Sequence, residues 1–65
     1  MNALERESFM RQALLLAEEA AASGEVPVGC VICDADGTVI GKGRNRCIEK
    51  HDATAHAELE AIREA

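Results

Sequence analysis

The chain has 65 residues, of which 48% are apolar, a single phenylalanine is the only aromatic, and the net charge is -5. A single domain of this size buries little surface and is marginally stable, its core must be aliphatic, and base stacking on aromatic rings is nearly unavailable. An acidic balance argues against these residues alone gripping a phosphate backbone, three cysteines are too few for a disulfide framework, and no apolar run is long enough for a signal peptide or a membrane span, so a reducing cytoplasm is the expected compartment.

The elements follow in chain order. Phe9, Ala13, Leu16, Ala17 and Ala20 recur at helical spacing, with Met10, Leu14 and Ala21 widening the stripe. Asn2 and Glu5 read as a capping pair, Glu7 and Arg11 as an exposed i,i+4 pair, and Gly24 as a stop, which predicts a helix over about 4–23. From Val26 to Cys33 the chain is apolar and β-branched, which predicts a strand covered on both faces with Pro27 at its start. Asp34-Ala35-Asp36-Gly37 reads as a turn, and Thr38 to Arg44 as the return strand, giving a hairpin over about 26–44. Residues 45–52 read as a loop. Asp52 or Thr54 is the expected cap of a second helix over about 53–65, with Ala55, Leu59 and Ile62 on its apolar stripe. That helix has no stop signal, and a two-stranded hairpin is seldom stable alone, so the expectation is a truncated domain.

The strongest chemical signal is Thr54-Ala55-His56-Ala57-Glu58. A neutral imidazole is a good zinc ligand, and a carboxylate that is not a ligand can carry a proton from an activated water to a ring nitrogen. The spacing i,i+2 serves one site only at the N-terminal end of a helix, where His56 and Glu58 fall. Without further matches the plainer reading is an exposed histidine and a glutamate suited to the helix dipole.

Further matches exist. Glu25-Val26-Pro27-Val28-Gly29, Gly43-Arg44-Asn45-Arg46 and His51-Asp52-Ala53-Thr54-Ala55-His56-Ala57-Glu58 resemble, in order and spacing, successive blocks of bacterial tRNA-specific adenosine deaminases, zinc enzymes of the cytidine and deoxycytidylate deaminase superfamily. The resemblance runs from about Phe9 to Ala65. The resemblance implies an α/β fold, the cytidine-deaminase-like three-layer αβα sandwich, of which residues 1–65 would form a partial zinc-dependent domain. It implies a hydrolase converting adenosine to inosine at the wobble position of a tRNA anticodon loop, acting as a homodimer with no membrane partner. It also implies His56 as a Zn2+ ligand, Glu58 as the proton shuttle, Asn45 and Val28 as contacts to the nucleoside and its base, and Gly29 as a point of close approach. The family's two zinc thiolates come from Pro-Cys-x-x-Cys, a motif with no counterpart in these 65 residues, so the chain alone is expected to be inactive.

Two other function classes compete. A deaminase of free guanine or cytosine would use His56 and Glu58 in the same roles, and a more remote class is a non-catalytic remnant or small zinc-binding module. Cys30-Val31-Ile32-Cys33 with His51 and His56 mimics a zinc finger, but cysteines three apart on a strand project to opposite faces, and His51 precedes the helix.

Overall fold

The computed structural model describes residues 1–65, in the order α1 (Ala3–Ala22), β1 (Gly29–Cys33), β2 (Val39–Arg44) and α2 (Ala57–Glu64). The start of α1 is set by a full capping box. The Asn2 carboxamide accepts from the Glu5 amide at 2.8 Å, and the Asn2 amide donates to the Glu5 carboxylate at 3.3 Å. The expected Arg11–Glu7 bond forms at 2.8 Å. At the other end Gly24 takes a left-handed φ of 79°, the Gly24 amide donates to the Ala21 carbonyl, and the Glu25 amide donates to the Ala20 carbonyl. That pair of bonds is a Schellman motif, and only glycine enters its conformation without steric cost.

The strands are antiparallel, with Gly29 opposite Arg44, Cys30 opposite Gly43, Val31 opposite Lys42 and Ile32 opposite Gly41. The turn closes on Asp34, whose carboxylate accepts from the Asp36 and Thr38 amides at 3.0 and 2.9 Å. Regular pairing begins three residues later than the sequence suggests. Pro27 has no N–H, and the Val28 amide turns back to the Val26 carbonyl at 2.9 Å, so only the Val28 carbonyl reaches the partner strand, at the Asn45 amide.

The two helices cover opposite faces of the hairpin. A side chain at Gly29 would collide with Ala13, Leu16 and Ala17 of α1, whereas one at Gly41 or Gly43 would collide with the backbone of α2 at Ala61 or Ala57. Directly paired residues share a face. Gly29, Arg44, Val31 and Lys42 therefore lie on the α1 side, and Cys30, Gly43, Ile32 and Gly41 on the α2 side. The result is a three-layer α/β/α arrangement around a two-stranded sheet.

Two stripes differ from expectation. On α1, Phe9, Ala13, Leu16, Ala17 and Ala20 turn inward as predicted, but Met10, Leu14 and Ala21 are exposed. Two strands spaced about 4.8 Å apart are narrower than a helix about 10 Å across, so one narrow stripe is all they cover. On α2 the buried residues are Ala57 and Ala61, while Ile62 is 59% exposed and Leu59 is also exposed. Gly41 and Gly43 bring the helix backbone so close that only alanine fits between.

The second helix also starts later than predicted. Asp52 spends its carboxylate on the amide and hydroxyl of Thr54, at 2.8 and 2.6 Å, and so builds a turn ahead of the helix. The first helical bond runs from the Glu60 amide to the His56 carbonyl at 3.0 Å, which makes His56 the N-cap.

Candidate functional site

Of the residues singled out in the sequence, His56, Glu58 and Asn45 meet at the N-terminal end of α2, Val28 adjoins Asn45, and Gly29 faces α1 on the other side of the sheet. His56 caps the helix with an extended backbone (φ -75°, ψ 154°), but its imidazole makes no capping bond. The ring is exposed and free for other partners, and its Nδ1 lies 3.8 Å from the Cys47 sulfur. Glu58, one residue into the helix, is exposed. Its carboxylate lies close enough to Cys30 that its charge adds to the main effect, burial, in pushing the Cys30 thiol above its ordinary value. A thiol so shifted is a poor nucleophile near neutral pH.

Asn45 is 6% exposed, and its side-chain oxygen accepts from the Ala57 amide at 2.7 Å. That amide is one of the four that every helix leaves without an internal partner. Asn45 therefore does for α2 what the His56 side chain does not, from across the loop. The bond uses the carboxamide oxygen and leaves the amide nitrogen as the remaining donor. Val28 is partly exposed beside Asn45, whose amide its carbonyl receives. Gly29 has a packing reason of its own, since α1 occupies the space its side chain would need.

Sequence reasoning gave Glu25 no role, yet it organises the loop. Its carboxylate is 6% exposed and accepts from the Ile48 and Glu49 amides at 3.0 and 2.8 Å. A buried carboxylate is tolerated where backbone donors satisfy it. Its placement right after a helix-stopping glycine is visible in the sequence, but its partners are 23 and 24 residues away. The sequence also gives no sign that Cys47 lies beside His56, nine residues on.

Charge around the loop is arranged as a network. Glu49 receives Arg46 and Arg44, whose hydrogen bonds hold its carboxyl below the usual range. Lys50 reaches Glu60 at 2.7 Å, and Arg63 lies 3.7 Å from the same carboxylate. Five of the seven Lys and Arg residues line one cavity of about 370 Å³ between the loop, β2 and α2. A second cavity, of about 470 Å³, is apolar and lies against Phe9, Met10 and Val31. Neither includes His56 or Glu58.

No three His, Cys, Asp or Glu side chains converge in a way that would hold a metal ion. The three cysteines are free thiols, and Cys30 and Cys33 form no metal cluster with His51 and His56. A zinc site takes three or four protein ligands, so the donors in these 65 residues do not complete one.

Residues 4–65 match the family described as the cytidine and deoxycytidylate deaminase zinc-binding region. A tRNA-specific adenosine deaminase of Haemophilus influenzae is 51% identical over 57 residues, which are 88% of this chain and 33% of that protein. A protein of Deinococcus radiodurans named tRNA(Ile)-lysidine synthase is 55% identical over 56 residues, 86% of this chain and 10% of that one. A structure solved in a study of A-to-I editing by tRNA:A34 deaminases at the wobble position superposes with a TM-score of 0.85 at 46% identity, covering 94% of this chain and 46% of the other. The chain thus spans a third or less of these two curated relatives.

Proposed function

The chain belongs to the cytidine and deoxycytidylate deaminase family, and on that premise we propose that it is part of a zinc-dependent hydrolase converting adenosine to inosine in a tRNA anticodon loop. The observation that carries this reading is His56 and Glu58 at the open N-terminal end of α2, within a segment 51% identical to a tRNA-specific adenosine deaminase. In this reading residues 1–65 are one part of a deaminase domain, and the protein works as a cytoplasmic homodimer. The match to a lysidine synthase covers only a tenth of that protein.

The roles follow from chemistry. His56 is one zinc donor, and the thiolates that complete the site lie outside these residues. Bound zinc would make a water nucleophilic near neutral pH. Glu58 is exposed, two residues beyond His56, and suited to carry a proton from that water to the purine ring. Asn45 offers its amide N–H groups to an acceptor on the nucleoside, because its oxygen is already committed to α2. Val28 lines the base pocket and Gly29 the approach to it. A target base held in a hairpin loop is already partly unstacked, which lowers the cost of bringing it out.

A second reading, a deaminase of a free base or nucleoside, is favoured by the family's own description. One experiment separates the two. Residues 4–65 replace their counterpart in the Haemophilus relative, and the chimera is offered tRNA, cytidine and guanine. Inosine in tRNA alone supports the proposal, and turnover of a free base with no inosine in tRNA overturns it. In the chimera Glu58→Gln should keep zinc while inosine formation falls by about 10²–10⁴-fold, the usual worth of a general acid–base group. Loss of zinc in that variant would make Glu58 a ligand and refute the shuttle.

A further inference from the structure

We infer that Glu25 is a positioning residue for the proposed deamination, acting through Asn45, the side chain offered to the nucleoside. The inference rests on the proposed function for the role of Asn45. The hairpin is closed at its turn and open where β1 begins and β2 ends. The last rung at the open end is the Asn45 amide on the Val28 carbonyl, at 3.2 Å. Beyond it Pro27 has no N–H to offer, and the ladder stops. A terminal rung in a two-stranded ribbon frays unless the chain beyond it is tied. Glu25 supplies the tie. Its two carboxylate oxygens accept from the Ile48 and Glu49 amides at 3.0 and 2.8 Å. Its own amide donates to the Ala20 carbonyl at 2.9 Å, so the clamp is anchored on the end of α1.

The tie reaches Asn45 through Glu49. Glu25 holds the Glu49 amide, and the Glu49 carboxylate accepts from Arg44 at 3.1 Å and Arg46 at 2.8 Å, the residues on either side of Asn45. From the opposite side the Asn45 oxygen receives the Ala57 amide at 2.7 Å, and the Ala55 carbonyl receives the Arg46 amide at 2.9 Å. Asn45 is therefore fixed by α2 on one side and by Glu25, through the loop, on the other. Glu25 is buried, so water does not compete for its bonds. A buried carboxylate gains little net stability, because desolvation offsets its bonds, and what it supplies here is a fixed distance. A residue that contacts substrate has to be held within about 0.5 Å of its productive place.

The test is a double-mutant cycle in the chimera, built from Glu25→Gln and Asn45→Asp. Glutamine keeps the size of the side chain but turns an NH2 group toward one of the two amides, which breaks half of the clamp. Asn45→Asp keeps the acceptor for the Ala57 amide and removes the donor. Glu25→Gln alone should raise KM about tenfold, the worth of one net hydrogen bond, with the loss falling on KM rather than on kcat per bound zinc. In the Asn45→Asp background the same substitution should change KM by less than about twofold, the ordinary error of additivity. A full effect in both backgrounds, or a loss confined to zinc content and kcat, would overturn the positioning role. In the 65-residue chain, where no catalysis is needed, Glu25→Gln should speed hydrogen exchange at the Ile48 and Glu49 amides and at the Asn45 amide with them. Faster exchange at Ile48 and Glu49 with none at Asn45 would also overturn it, and that outcome is readable whether or not the chimera makes inosine.

Discussion

Asn45 joins an observed duty to a proposed one. Its oxygen satisfies the Ala57 amide in a buried setting, while in the proposed function its amide nitrogen is the group offered to a nucleoside. The two duties separate by substitution. Asn45→Ala strands the Ala57 N–H and should cost about 1–3 kcal/mol of stability, the usual penalty for a buried donor left unpaired. Asn45→Asp retains the acceptor and should recover much of that stability in denaturant unfolding, yet it cannot donate and should weaken nucleoside binding in the active chimera. Equal stability of the alanine variant and the parent would remove the capping role.

The loop from Asn45 to His56 is built from local turns and held by distant carboxylates. Glu25 clamps its first half, and Asp52 organises its second half around Thr54. The Asp52 carboxyl lies below its ordinary value, first because the Thr54 hydroxyl donates to it and then because the Thr54 amide does. Glu49 is lowered by Arg46 and then Arg44. A carboxyl whose folded value is depressed stabilises above the unfolded value, about pH 4, and that contribution is lost as pH falls through the depressed value. The Thr54 amide should therefore keep its chemical shift through pH 5 and lose it only below about pH 4; a transition above pH 5 would contradict the assignment. Packing at this scale depends on glycine. Gly43→Ala would press a methyl group into the Ala57 carbonyl and the Ala61 amide of α2. Overpacking against backbone should cost about 1–3 kcal/mol and shift α2, visible as a lowered melting temperature. An unchanged melting temperature would show that α2 rides more loosely than the structure has it.

Across the whole molecule the fully buried apolar residues are Ala20, Ala55, Ala57 and Ala61, and no large side chain is completely enclosed. An alanine methyl contributes about as much as one buried CH₂, roughly 0.8 kcal/mol, so such a core stabilises weakly. Leu14, Leu15, Ile40 and Ile62 remain exposed, while Val31 and Ile32 are half-covered. The 65-residue chain by itself should bind a hydrophobic dye and melt over a broad range. A sharp two-state transition without dye binding would show that close α/β contacts suffice. The sequence by itself determined the elements, because capping pairs, helical period, turn residues and β-branched runs act over a few residues. It also determined the family through three spaced blocks, with His56 and Glu58 at a helix start. Tertiary structure alone decided which alanines are core and why the second helix begins at Ala57. It also decided that Glu25 and Asn45 hold the loop and that Cys47 faces His56. These depend on contacts between residues far apart in the chain, and a glycine's missing side chain or a carboxylate's burial has meaning only once a second element is packed against it.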